Sequence, residues 1–147
     1  MSIKEQLTND LKDAMRAREK KTVDTLRLIT AAIKQVEVDE RITVEDDRLL
    51  VILDKMTKQR KESITQFAAA KRDDLVAQEE FELTIISKYL PEPLSEAEIT
   101  AFIKEAMAAT GAEKMADMGK VMAILKPKVQ GRADMSQISA LIKAQLN

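Results

Sequence analysis

The sequence predicts an all-α, multihelical protein: two small helical domains joined by a proline-containing linker. Three observations lead there. Apolar residues recur every three to four positions along nearly the whole chain, and no period-two alternation is long enough for a strand. Two Ser-x-x-Glu capping boxes, Ser2 with Glu5 and Ser95 with Glu98, each open such a run. Two prolines in "LPEPLS", Pro91 and Pro93, forbid helix where the periodicity lapses. The boundaries drawn on this basis are residues 1–90 for an N-terminal domain of long helices, 91–95 for the linker and 96–147 for a C-terminal three-helix domain.

Taken in order, the first helix starts at Ser2 and buries Ile3, Leu7, Leu11 and Met15, and "RAREKK" closes it with cations at the negative end of the helix dipole. A second helix from about Val23 carries Leu26, Ile29, Ile33 and Val36 on one face. Thr43 is the next expected cap. It precedes a long helix with the stripe Leu49, Ile52, Leu53, Met56, Ile64 and Phe67, which thins at "TKQRKES", so that half is expected to project past the core. There Lys55, Lys58, Arg60 and Lys61 read as a solvated face, with Asp54 able to pair Lys58 at i,i+4. A fourth helix from about Asp74 runs through Leu83, Ile86 and Leu90 to the prolines. After Ser95, the face Ile99, Phe102, Ile103 and Ala106 ends at Gly111, placed as a left-handed terminator. A short helix near Met118–Lys126 and a last one after Asp134, with Gln137 at the capping-box position, complete the chain.

Composition removes whole classes of chemistry. The 147 residues contain no Cys and no His. Disulfides, thiol nucleophiles, the usual zinc ligands, Ser-His-Asp units and the commonest general base are therefore excluded. The interval from Gly111 to Gly119-Lys120 does not fit a phosphate-binding P-loop, and Val121 stands where Ser or Thr is required. Adjacent acid pairs such as Asp46-Asp47 and Glu79-Glu80 diverge around a helix and do not share a site. No cofactor and no metal are expected. "MSIKEQLTND" has no apolar signal region, and the longest aliphatic runs are too short to span a bilayer, so a cytoplasmic location is expected.

Charge is nearly balanced overall, 24 Lys and Arg against 25 Asp and Glu, but unevenly spread. Residues 114–147 carry six cations and two acids. Two of the three glycines and one of the three prolines fall within "MGKVMAILKPKVQGRADMSQIS". A helix N-terminus attracts phosphate oxygen, and Gly119 presents no side chain there. Lys120 follows it, Pro127 is expected to end the helix, and Lys126, Lys128 and Arg132 are expected to crowd the loop to Gly131, which takes a positive φ. Two readings stand side by side: a surface for a sugar–phosphate backbone, or helix punctuation with solvated lysines. No aromatic lies beyond Phe102, so an RNA surface here reads shape and backbone rather than stacked bases.

The phrases "LKDAMRAREKKTVDTLRLITAAIKQVEV", "KQRKESITQF", "EEFELTIISKYLPEPLSEAEI" and "DMGKVMAILKPKVQGRAD" together resemble the GatB/YqeY family of small bacterial proteins, in order over nearly the whole chain. In its C-terminal part that family is similar to the tail domain of the GatB polypeptide of the glutamyl/aspartyl-tRNA amidotransferase. A similar module is fused to some glutaminyl-tRNA synthetases. In those proteins the tail is a helical tRNA-contacting appendage. The resemblance implies two three-helical domains joined by a partly helical linker, tRNA as a partner, and an amidotransferase or synthetase as a second one. It also implies a tRNA-facing surface at Gly119, Lys120, Lys126, Lys128, Gly131 and Arg132. Four phosphate contacts there imply a log–log salt slope of about −3 to −4. The family label suggests a carbon–nitrogen ligase with glutamine as amido-N-donor, but no catalytic constellation accompanies it here. After "GRAD" the family continues with Gly and Lys, whereas Met135 and Ser136 follow here, removing a close-approach position and a cation.

Overall fold

The structure is a computed structural model and describes residues 1–146. It is all-α. Among the described residues there are seven α-helices and one short 3-10 turn, and no strand. The chain forms two compact units, Met1–Leu90 and Pro91–Asn147, each with its own core.

The N-terminal unit holds α1 (Ile3–Arg16), α2 (Lys20–Glu40), α3 (Asp46–Ala69) and α4 (Asp73–Ser87). The Ser2 hydroxyl accepts from the Glu5 N–H while Glu5 reaches back to the Ser2 N–H, so two orphan donors of α1 are satisfied. Leu7, Leu26, Ile29, Leu49, Leu53 and Ile86 are fully buried and bring all four helices to one core. Glu37 ties α1 to the start of α3. Lys4 donates to its carboxylate at 2.6 Å and the Val44 N–H at 2.9 Å, and these two bonds hold its carboxyl below the ordinary range. Tyr89 closes the unit by donating its phenolic hydrogen to Asp10 on α1.

Four details differ from the sequence expectation. Met15 is 46% exposed, and Ala14, one residue earlier, takes the buried place on α1. Thr43 does not cap α3. The helix starts after Glu45 with no side-chain cap, and Asp46 is occupied instead in accepting the Ile3 N–H at 3.0 Å. Arg60 is not on a solvated face: its Nε donates to Glu82 Oε2 at 3.0 Å across the α3–α4 hairpin, with 13% and 9% of the two side chains exposed. The fourth is the way three helices end. Arg18, Arg41 and Lys71 stand at φ 56°, 55° and 58°, the left-handed conformation usually left to Gly or Asn. Cations are favoured at a helix C-terminus by the dipole, which offsets part of that backbone strain. Beyond Met56 the hairpin has no fully buried residue until Glu82; Ile64, Phe67, Leu75 and Val76 are half-buried.

The C-terminal unit holds α5 (Glu96–Thr110), α6 (Met118–Val129) and α7 (Met135–Leu146), with the 3-10 turn Met115–Asp117 leading straight into α6. Ser95 and Glu98 form the second capping box, and Gly111 ends α5 at φ 64°. Ile99, Ile103, Val121, Leu125, Val129, Ile138 and Ile142 are its buried centre. Leu94, from the proline segment, is also buried there. Pro127 does not end α6. The helix continues through it to Val129, closed by the Gln130 N–H on the Lys126 carbonyl at 3.0 Å, so Lys126 and Lys128 are helical residues rather than loop residues.

Candidate nucleic-acid interface

The six residues singled out in the sequence all lie on α6 or the loop after it, but the structure gives them different work. Gly119 is the second residue of α6 and exposed, with a φ outside the positive range. A Cβ built there meets nothing within 4 Å, so close helix packing does not require a glycine. Lys120 follows with 71% of its side chain exposed, and its Nζ lies 3.9 Å from Asp117 Oδ1. Lys126 is exposed in the last turn and makes no ion pair among the described residues.

Lys128 and Arg132 are engaged within the unit. Lys128 Nζ sits 3.3 Å from Glu105 Oε1 and 5.9 Å from the centroid of the Phe102 ring, so α5 gives it a surface ion pair and an aromatic face. Gly131, at φ 77°, turns the chain so that Arg132 faces the proline segment. There Arg132 Nε donates to the Glu92 carbonyl at 3.0 Å, and the Arg132 carbonyl accepts from the Leu94 N–H at 2.8 Å. Arg132 is thus a latch that fastens the proline segment to the α6–α7 loop.

Helix geometry divides the rest. Residues seven apart lie within about 20° of one another, so Gly119 and Lys126 share one flank of α6; residues two apart point to opposite sides, so Lys126 and Lys128 do not share a face. The buried stripe Val121, Leu125 and Val129 runs between the two flanks. The N-terminal end of α6 is less open than the sequence suggests. The Asp117 and Met118 N–H groups are taken by the Lys114 and Met115 carbonyls. Asp117 also stands at this end, its carboxyl held below the ordinary range chiefly by the N–H groups of Glu113 and Lys114. The positive surplus of residues 114–147 is local too: the whole unit from residue 91 carries seven cations and seven acids, because α5 and the segment before it are acidic.

Met135 and Ser136, where the resemblance leads one to expect Gly and Lys, have structural roles here. Met135 is half-buried against the core, and the Ser136 N–H donates to Asp134 Oδ1 at 2.9 Å, which caps α7. Among the described residues, no group of His, Cys, Asp or Glu could hold a metal ion, and no helix is long and apolar enough to cross a membrane.

The sequence matches the profile of the family described as "Yqey-like protein" over residues 4–146, nearly its whole length. The chain belongs to the YqeY-like protein family. Its curated relatives include the "Altered inheritance of mitochondria protein 41, mitochondrial" of Pyrenophora tritici-repentis, 33% identical over 129 residues, which are 86% of this chain and 71% of that one. The protein of the same name from Saccharomyces cerevisiae is 36% identical over 122 residues, 79% of this chain and 66% of that one. The Candida glabrata protein is 37% identical over 95 residues, 63% of this chain and 52% of that one. The YqeY-like chain therefore spans about two thirds of the length of the first two relatives and about half of the third.

Proposed function

We propose that this YqeY-like protein is a non-catalytic accessory module of tRNA-dependent amidation or aminoacylation, and that its C-terminal unit meets tRNA phosphates along the Gly119–Lys126 flank of α6, with Lys120 beside it. Gly119 carries the reading. Glycine costs roughly 0.5–1 kcal/mol against alanine in a helix interior, and less in the first turn, where Gly119 stands. Neither a positive φ nor a crowded neighbour asks for it here. What the missing side chain leaves is open backbone between exposed lysines, where a bulky anionic ligand can approach closely.

Lys128 and Arg132 are occupied by Glu105 and the Glu92 carbonyl rather than by RNA, which reduces the expected phosphate contacts from four to two. The test is fluorescence anisotropy with bulk tRNA at low salt. Binding should be weakened by Lys120→Glu with Lys126→Glu. No binding at low salt, or binding indifferent to the double reversal, overturns the RNA reading.

A protein partner, an amidotransferase or synthetase, is the second reading. The charge balance of the C-terminal unit favours it: seven cations are matched by seven acids, and Lys128 is paired with Glu105, which leaves no net charge for a polyanion. It predicts capture of such an enzyme from nuclease-treated lysate by wild type and by the double reversal alike; loss of capture after nuclease treatment rejects it. The names of the fungal relatives carry the word mitochondrial. The compartment we propose is one with bacterial-type translation, the bacterial cytoplasm or the mitochondrial matrix. Cell fractionation that recovers the protein elsewhere contradicts this.

A further inference from the structure

The N-terminal unit contains a cleft of about 450 Å³ between α2 and α4, within the size range of small-molecule sites. One wall is the start of α2. Lys20 and Lys21 are exposed there and make no ion pair among the described residues. The helix begins after Glu19 with no side-chain cap, so its first N–H groups add to the positive potential. One turn further on stands Asp24, exposed, beside buried Thr25. The other wall is α4, which contributes Asp74, Gln78, Phe81 and Glu82, with Asp74 held in an ion pair by Arg72 at 3.1 Å.

Glu82 is the feature that points to a ligand. It is only 7% exposed. Its Oε2 accepts from Arg60, while its Oε1 accepts no hydrogen bond among the described residues and is not shut away from solvent. Burial, first, and then the Glu82 charge hold the neighbouring Glu79 carboxyl above its ordinary range. A nine-tenths buried carboxylate with a free oxygen on a cleft has room for one more donor.

The charges of the lining make opposite demands on a ligand. A simple anion such as phosphate meets Lys20 and Lys21 but is repelled by Asp24 and Glu82. A simple amine meets the acids but is repelled by the lysines. Only a molecule carrying both charges a few ångströms apart satisfies both. We propose that this cleft binds a small zwitterion, a free α-amino acid, with its ammonium on Glu82 Oε1 and its carboxylate at Lys20, Lys21 and the start of α2. Its side chain lies along Phe81. The site is independent of the RNA surface proposed above, and the two readings stand or fall separately.

The experiment is a ¹H–¹⁵N NMR titration of the intact protein with the twenty standard L-amino acids, following the Thr25, Gln78 and Phe81 amides. At least one amino acid shifts them. Its N-acetyl and methyl-ester derivatives, and methylamine and inorganic phosphate, bind about tenfold or more weakly, because each lacks one charged contact. The double variant Lys20→Ala, Lys21→Ala loses a similar factor and no longer distinguishes the amino acid from its methyl ester. Glu82→Gln weakens binding as well, but Glu82 also holds Arg60, so the lysine variant, which leaves the core untouched, decides. Absence of shifts with every amino acid overturns the proposal. So does phosphate or methylamine binding as tightly as the amino acid, or undiminished binding by the lysine variant.

Discussion

Replacing Arg132 with alanine separates the structural cation from the ligand-facing ones. The side chain donates one charge-assisted hydrogen bond to the Glu92 carbonyl at 3.0 Å. A hydrogen bond to a charged group contributes about 1.5–3 kcal/mol when fully sheltered. Arg132 is half-buried and the acceptor residue is exposed, so screening reduces the expected loss to about 1 kcal/mol. The Leu94 N–H to Arg132 carbonyl bond involves only main chain and survives, so Leu94 stays in the core. Arg132→Ala should therefore lower the stability of the C-terminal unit by about 1 kcal/mol in chemical unfolding, and leave tRNA affinity within about twofold. Lys126→Ala should do the reverse: no change in unfolding, and weaker tRNA binding. If Arg132→Ala costs tenfold in tRNA affinity with unfolding unchanged, Arg132 is a phosphate contact and the latch assignment is wrong.

Gly119→Ala should raise the stability of the C-terminal unit, since its Cβ meets open space, by less than the roughly 0.5–1 kcal/mol of a helix-interior glycine because it stands in the first turn, while lowering tRNA affinity. Stability gained with affinity intact removes the functional reason for the glycine. Arg18→Gly, Arg41→Gly and Lys71→Gly each relieve a left-handed backbone and should raise stability in urea by up to about 1 kcal/mol; a loss contradicts the strain argument. Tyr89 titration adds an alkaline signature. Burial, first, and then its bond to the Asp10 carboxylate push its phenol well above the ordinary range. A folded pKa above the unfolded one means that this stabilisation is complete below about pH 10 and is lost as pH rises through the folded value. Tyrosinate absorbance should appear only well above about pH 10 in the folded protein, and Tyr89→Phe should flatten the alkaline loss of stability. Titration at the ordinary value contradicts the buried Tyr89–Asp10 bond.

What was legible in the sequence is what side chains do to their own backbone. Ser2 with Glu5 and Ser95 with Glu98 satisfy helix N–H groups three residues away, and Gly111 is the residue that a left-handed stop prefers. The all-α class and the buried stripes followed from period alone. The helix stops at Arg18, Arg41 and Lys71 were not legible, because nothing in an Arg or Lys announces a positive φ. Pairings across tertiary distance were also hidden. Arg60 finds Glu82 22 positions on, Lys128 finds Glu105 23 positions back, and Arg132 reaches the Glu92 carbonyl 40 positions back. Each of these cations reads as solvated until the helices are placed side by side. For the candidate site, the sequence pointed to α6 and the loop after it but merged two kinds of cation. Only the structure separates Lys126, which has no ion pair among the described residues, from Lys128, exposed but paired with Glu105, and Arg132, which reaches the Glu92 carbonyl.

The most direct test of the central claim is the salt dependence of tRNA affinity. Two phosphate contacts, from Lys120 and Lys126, predict a log–log slope of about −1.5 to −2, falling toward zero in the Lys120→Ala, Lys126→Ala double variant. A slope of about −3 to −4 means that Lys128 and Arg132 contact phosphate as well and contradicts the division of roles. A slope near zero in the wild type contradicts the RNA account itself.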